Sequence, residues 1–412
     1  MRGRAAAAAF ALLVSATACT GSSTGSRPSP SAPSELRSVS PRSGGAPESG
    51  TTRTSPAPAP SRSSTAPPAK RTVTVLGSGD VLIHPQLWQQ AHRDARARGE
   101  HGYDFGPMYA SIAPDVRSAD LATCEMESPL APPQGPFTGW PQFSSPPQVL
   151  TALKGVGYDT CTTASNHTID EGYDGVKRTL DELDAAGLRH TGAARSAAEA
   201  ARPLIVRMPN GVKVAQLAYS FGFNGLDRPA GQPWLANLTD VPTILAAAHR
   251  AKQAGADIVV LSLHWGVEYN LGATQEQQDE AHQLLASPDI DLILGDHPHV
   301  VEPAQRIGTK WVIYSMGNQI SRHADPLLVS REGAMPMFTF TELRPGRFRV
   351  TTARVVPTLM QLGPPLRLID LPRAIDDPAT SAADRSAYRA SVAHIRHTLD
   401  ALGAGADGLI VG

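Results

Sequence analysis

Apolar and polar positions change their arrangement abruptly at Val73. From Thr20 to about Lys70 the chain is Ser, Pro, Gly, Ala and Thr with scattered Arg, and it offers almost nothing to bury. Beyond Val73, short apolar runs alternate with stretches of helical period. The runs Val73–Leu76, Val212–Ala218, Ile258–Leu263, Leu292–Leu294 and Val312–Tyr314 are predicted strands. They are continuous rather than alternating, the pattern of strands covered on both faces. Between them lie predicted helices. Asp174–Ala186 places Val176, Leu180 and Leu183 on one face and stops at Gly187, and Val241–Ala254 stops at Gly255. Thr274 with Gln277 forms a capping box that opens a helix to about Ala286. Met337–Leu343 and Phe348–Val355 flank Arg344-Pro345-Gly346-Arg347 as an antiparallel hairpin, and Ser386–Leu402 reads as a terminal helix. This alternation predicts a layered α/β domain over residues 73–412.

Composition changes this picture mainly at the N-terminus. Arg2 and Arg4 precede the apolar run Ala5–Val14, and small residues then lead to Cys19. Residues 1–19 therefore read as a lipoprotein-type signal with Cys19 as the lipidated residue, and ordinary cleavage near Ala18 is the alternative. Either way the chain is expected to be exported: to the outer face of the cytoplasmic membrane, or as a secreted soluble protein. Residues 20–72 are expected to be a disordered tether, since ordering them would cost entropy with no burial in return. A glycosylated stalk has the same composition. With 37 basic and 38 acidic residues the net charge is -1, which excludes an overall electrostatic pull toward nucleic acid. Three cysteines are too few for a disulfide scaffold.

The candidate chemistry clusters where predicted strands end. Val73–Leu76 runs into Gly79-Asp80 and on to His84, Ile258–Leu263 into His264-Trp265-Gly266, and Leu292–Leu294 into Gly295-Asp296-His297-Pro298-His299. Cys124-Glu125-Met126-Glu127 and Ser165-Asn166-His167-Thr168-Ile169-Asp170 are further polar clusters. Singly, a histidine after a strand or an aspartate in a turn is usually structural. Together, five strand ends offering Asp, Glu, Asn or His converge on the edge where open α/β sheets bind ligands. A mixed carboxylate, amide and imidazole set suits Mn, Fe or Zn, and the absence of cysteine from it argues against a structural zinc knot.

Gly79-Asp80, Met126-Glu127-Ser128-Pro129-Leu130, Ser165-Asn166-His167, Leu263-His264-Trp265-Gly266, His297-Pro298-His299 and Tyr314-Ser315-Met316-Gly317-Asn318 resemble, in order, the motifs of the capsule-synthesis CapA family. The likeness runs from about Val73 to Ile320. It implies a four-layer α/β/β/α metallophosphoesterase-like sandwich and a link to poly-γ-glutamate or another surface polymer. It also implies a metal shell of Asp80, Glu127 as bridging acid, Asn166 as amide ligand, His264, His297 and His299, with His167 beside the substrate. The broader superfamily opens with Asp-x-His, where this chain has Leu82, and uses a Gly-Asp-x-x-Asp turn, where only Glu127 stands. His84, Glu125 and Asn318 are available to rebuild a weakened position, with His84 read as a surface residue. The implied mechanism is metal-assisted hydrolysis of a phosphoester or polymer bond, with His167 donating a proton or stabilising charge. A non-catalytic component that binds the polymer or assembles a membrane synthase is the alternative. Cys124 and Cys161 each sit just before a candidate ligand. They read either as a disulfide or as two buried thiols.

Overall fold

The computed structural model of the protein describes residues 70–323 and 327–412. Cys19 and residues 20–69 of the predicted tether lie outside the described residues, while Thr72, the last residue assigned to that tether, opens the first strand. The chain first lays down β1 (Thr72–Val81), β2 (Leu121–Glu125), β3 (Thr160–Thr162) and β4 (Arg189–Thr191), with helices in the connections. It then builds a second sheet from β5 (Leu204–Arg207), β6 (Lys213–Ser220), β7 (Ile258–His264), β8 (Leu292–Asp296), β9 (Ala304–Ile307) and β10 (Lys310–Ile313). Finally it returns to the first sheet with β11 (Asn318–Ile320), β12 (Glu332–Arg344), β13 (Arg347–Gln361), β14 (Arg367–Asp370) and β15 (Leu409–Val411). The first sheet runs β14-β13-β12-β1-β2-β3-β4, with β11 on β1 and β15 on β13, and the second runs β5-β6-β7-β8-β10-β9.

Side-chain alternation along these strands sorts the apolar residues into three layers. Val73, Val75, Ile258, Val260, Leu292 and Leu294 point between the sheets and pack with Phe338 and Phe340. Val259, Leu261 and Ile293 point outward beneath Ile244, Ala248, Ala281 and Leu284 of the helices Val241–Gln253 and Gln275–Ala286. On the far face, Leu76, Ala122, Cys124 and Cys161 pack under Leu87, Leu153, Val176 and Leu180 of three helices. Helix, sheet, sheet, helix is the four-layer α/β/β/α sandwich. Continuous apolar runs mark these strands because each sheet is buried on both faces.

The predicted helices form as Gly172–Ala185, Val241–Gln253 and Gln275–Ala286, the last with both bonds of its capping box. The hairpin closes at Arg344–Arg347, and the terminal helix is Ala382–Leu399. β2 and β3 are strands that apolar patterning does not disclose. Their register sets Cys124 opposite Cys161, and the two are joined as a disulfide with Cα atoms 4.5 Å apart. Among the described residues no helix is long and apolar enough to cross a membrane.

One buried acid pair, Asp115 and Asp370, makes stability pH-dependent. Asp370 caps the helix Leu371–Asp376 by accepting the Arg373 N–H at 3.0 Å. Burial and a hydrogen bond to Asp115 raise its carboxyl to about 7. The folded state therefore holds a proton there that the unfolded chain, near pH ~4, has released. This contribution is complete below pH ~4 and fades as pH rises toward 7. Asn caps helices as well as Asp does. Asp370→Asn is therefore expected to flatten the fall in stability between pH 4 and 7, read from urea midpoints across that range. An unchanged slope would refute the assignment.

Candidate metal centre

Side chains from the ends of both sheets meet at one place. Asp80 is the penultimate residue of β1 and stands in register between Glu125 of β2 and Asn318 of β11. Across the gap His264 ends β7, in register with Asp296 at the end of β8. The loop after β3 brings Asn166 and His167, and the loop after β8 brings His297 and His299. All of these side chains are buried.

Two groups of potential ligands result. Ligand atoms of Asp80, Glu125 and His264 lie within 4.8 Å of one another, and so do those of Asp80, Glu127 and His299. Asp80 is common to both. Glu127 Oε1 also sits between them, 3.9 Å from His264 Nε2 and 3.8 Å from His299 Nε2. Two carboxylates, where the resemblance implied one, are thus placed to bridge. His264 Nε2–H donates to Asn166 Oδ1 at 2.9 Å, which leaves Nδ1 facing Glu125 Oε1 at 3.6 Å. His299 Nδ1–H is shared between Asp80 Oδ2 at 2.9 Å and Asn318 Oδ1 at 3.1 Å, which leaves Nε2 toward Glu127. The His297 N–H donates to Asp80 Oδ1 at 3.1 Å.

The electrostatics of this set call for a cation. Burial, then mutual repulsion with neighbouring carboxylates, holds Glu125 and Asp296 well above the usual carboxylate range. Glu127 is also raised well above it, by burial first and despite the His299 charge. Burial drives His264 well down and His297 to about 3, so both rings are neutral and able to donate a lone pair. Burial pulls His299 down too, but Glu127 and Asp80 outweigh it and hold it near 9. Both oxygens of Glu125 and of Glu127, Asp296 Oδ1, His264 Nδ1 and His297 Nδ1 have no hydrogen-bond partner among the described residues. So many buried acceptors are costly unless a positive ion satisfies them. The residues therefore fit one or two divalent ions.

Strain concentrates here as well. Among the described residues, the non-glycine positions with left-handed φ are Asn224 at 51°, Tyr269 at 63°, His297 at 98° and His299 at 57°. Each costs on the order of 1–3 kcal/mol, which persists only where surrounding packing over-determines it. All four line the centre or the cleft beside it. That cleft, of about 240 Å³, is lined by His167, Asn166, Asn224, Tyr269 and His84. In it, Asp170 Oδ2 holds His167 Nδ1 at 2.7 Å and also accepts the Phe143 N–H at 2.7 Å. Asn224 Oδ1 accepts from Asn166 Nδ2 at 3.1 Å.

The structure departs from the sequence expectation at His84 and adds residues that the sequence pattern does not single out. His84 is not a surface residue. It is buried against Phe143 and His323, its Nδ1 accepts the Arg322 N–H at 3.2 Å, and burial lowers it to about 4. It belongs to neither ligand group. β2 ends at Glu125, and Glu127 reaches the centre from the loop that follows. Asp296 went unselected although it stands, like His264, at the last position of an apolar strand. That positional rule would have found it. Asn224 carried no sequence signal, since it lies in a loop with no flanking pattern.

The four-layer α/β/β/α sandwich, with acids and imidazoles gathered at the carboxyl ends of strands from both sheets, has the metallophosphoesterase-like fold. Residues 74–323, more than half of the chain, match the family of the bacterial capsule synthesis protein PGA_cap, and the chain belongs to that family. It is 29% identical over 202 residues to the PGA biosynthesis protein CapA of Bacillus subtilis (strain 168), covering 49% of this chain and 52% of that one. It is 25% identical over 258 residues to the capsule biosynthesis protein CapA of Bacillus anthracis, covering 60% and 59%. The chain thus spans between half and three fifths of the length of these relatives. Among solved structures, the calcineurin-like phosphoesterase YfkN of Bacillus subtilis superposes with a TM-score of 0.42 at 14% identity, over 70% of this chain and 91% of that one. A putative 5'-nucleotidase of Staphylococcus aureus gives 0.44 at 17% identity, over 80% and 59%.

Proposed function

We propose that this protein is an envelope hydrolase dependent on a divalent metal, acting on a phosphoester or on a bond of a capsule polymer such as poly-γ-glutamate. The observation that carries the reading is the pair of buried acid and imidazole groups that meet at Asp80, with all four oxygens of Glu125 and Glu127 unpartnered among the described residues. The polymer is taken from the names of the relatives. One or two ions of Mn, Fe or Zn, held by Asp80, Glu125, Glu127, His264, His297 and His299, would supply Lewis acidity and an activated water. Asp170 fixes the His167 ring through Nδ1 and leaves Nε2 for the cleft, where it would protonate a leaving group. Asn166 Oδ1 steadies His264, and Asn318 steadies His299. We infer that lipidation of Cys19 holds the protein at the outer face of the cytoplasmic membrane, in reach of a polymer synthase.

His167→Ala is expected to keep its metal and to lose hydrolysis by about 10²–10⁴-fold. Metal analysis of purified protein, with turnover of generic phosphoesters and poly-γ-glutamate in Mn²⁺ or Zn²⁺, checks both halves. Loss of metal in this variant would make His167 structural, and undiminished turnover would remove it from catalysis.

Leu82 favours a second reading. It is buried at the cleft wall, at the position of the histidine in the superfamily's Asp-x-His motif, so one metal position lacks that imidazole. A protein that binds metal and polymer but turns over neither substrate class would be a polymer-binding or synthase-assembly component.

A further inference from the structure

The opposite end of the sandwich carries a basic groove that the metal centre does not use. It has a volume of about 530 Å³ and is lined by Arg344, Arg347 and Arg349 of the β12–β13 hairpin, with Lys310 across from them and Phe340 and Phe348 among the lining. The three arginines are exposed. Among the described residues none of their guanidinium groups has a carboxylate within 4.0 Å. The nearby acids are already engaged by cations outside the groove. Glu342 pairs with Arg71 at 2.6 Å, and Asp291, which lines the groove, pairs with Lys252 at 2.7 Å. Lys310 donates to the backbone carbonyls of Leu285 and Ser287. The arginines are therefore uncompensated positive charge set in a concave surface.

We infer that this groove binds an anionic polymer bearing regularly repeated carboxylates, as a docking site separate from the metal centre. The inference rests on the polymer-directed part of the function proposed above. Guanidinium groups pair carboxylates in a planar, two-bonded fashion that ammonium groups do not match. Arg344 and Arg347 face each other in register, and Arg349 follows on the same strand, so the charges form a short row rather than a point. A row suits a repeating acid better than a single small anion. Distance points the same way. β1 connects the two ends of the sandwich: Thr72 pairs with Thr341 beside the groove, and Asp80 sits in the metal centre. Eight strand residues at ~3.3 Å each separate them, roughly 26 Å. No single monomer spans that, whereas a polymer chain held at the groove can still present a bond to the centre and gain effective concentration there. The concavity and the phenylalanines distinguish the groove from a flat basic patch meant for a bilayer.

The test is equilibrium binding of fluorescently labelled poly-γ-glutamate of defined length to the full chain, at low and high salt. The expected result is binding that weakens with salt. The triple variant R344Q/R347Q/R349Q should bind about tenfold or more weakly, the sum of several exposed charge contacts. Its thermal midpoint and its turnover of small phosphoesters should not change. The triple Arg→Lys variant should recover part of the affinity, and His264→Ala should keep groove binding within about twofold. Equal polymer binding by wild type and the triple Gln variant would overturn the groove. So would wild-type binding to phosphatidylglycerol vesicles but not to the polymer. Failure of the metal reading is distinguishable: polymer binding would still follow the arginines while every protein lacked turnover.

Discussion

Glu125→Gln is expected to raise the thermal midpoint of the metal-free protein and to abolish the rise that Mn²⁺ or Zn²⁺ gives the wild type. Glu125 is buried, and neither of its oxygens has a hydrogen-bond partner among the described residues. Burial, then Asp296, Asp80 and Glu127, hold its carboxyl well above the usual range. The sign follows from linkage. A carboxyl whose folded pKa is raised contributes stability below its unfolded value, and that contribution is lost as pH rises. Near neutral pH the metal-free wild type therefore carries an acid that costs it stability either by repelling its neighbours or by binding a proton. Gln removes the ionisable group and keeps the shape, worth about 1–3 kcal/mol. In the wild type a bound cation turns the same repulsion into attraction. At a metal concentration near a thousand times Kd the gain is about 4 kcal/mol, or on the order of 5–10 °C. Gln lacks the charge, so the variant should show little of that rise. Calorimetric scans with EDTA and with added metal, at pH 6 and 8, read both effects. An equal metal-dependent shift in the two proteins would place the ion elsewhere.

Gly79→Ala should cost more than about 4 kcal/mol, the range reserved for a core that cannot relax. The motif residue before Asp80 is glycine for a packing reason. A Cβ there would lie 1.7 Å from the Gly317 carbonyl oxygen and 2.9 Å from its carbon. The same oxygen accepts the Asp80 N–H at 3.2 Å, so β1 and the Gly317 turn must run this close for Asn318 to stand beside Asp80. Both partners are backbone, and neither can swing aside. The expected outcome is low soluble yield, or a urea midpoint far below wild type, together with lost metal binding even in any folded fraction. A midpoint close to wild type would show that the two segments can separate without harm, and would remove the close approach as the reason for the glycine.

Much of this architecture is legible from local chemistry alone. β1, β6, β7 and β8 announce themselves as apolar runs because both faces of each are covered. The helices Gly172–Ala185, Val241–Gln253 and Gln275–Ala286 announce themselves through period, glycine stops and a capping box. The types of residue at the strand ends already specify a hard or borderline cation, since Asp, Glu and His occur there without cysteine. β2 and β3 escape notice for the opposite reason. Leu-Ala-Thr-Cys-Glu and Thr-Cys-Thr have no strong strand signal, and they are strands because β1 and β4 offer hydrogen bonds on either side. The disulfide follows from that register.

The centre itself is a tertiary product. Read along the chain, the ligands belong to strand ends of one edge. In the fold, Asp80, Glu125 and Asn318 come from one sheet and His264 and Asp296 from the other. They meet because the inner faces of both sheets, Val73 and Val75 against Val260 and Leu294, must bury each other. His84 is a buried wall rather than a surface residue because Phe143 and His323, from loops far along the chain, pack against it. The sequence by itself determined the long apolar strands, the capped helices, the residue types and the family motifs, because each depends on neighbours within a few positions. Which ends face each other, which carboxylate is shared and which glycine has no room for a methyl group were decided by the packing of sheets whose strands lie hundreds of residues apart.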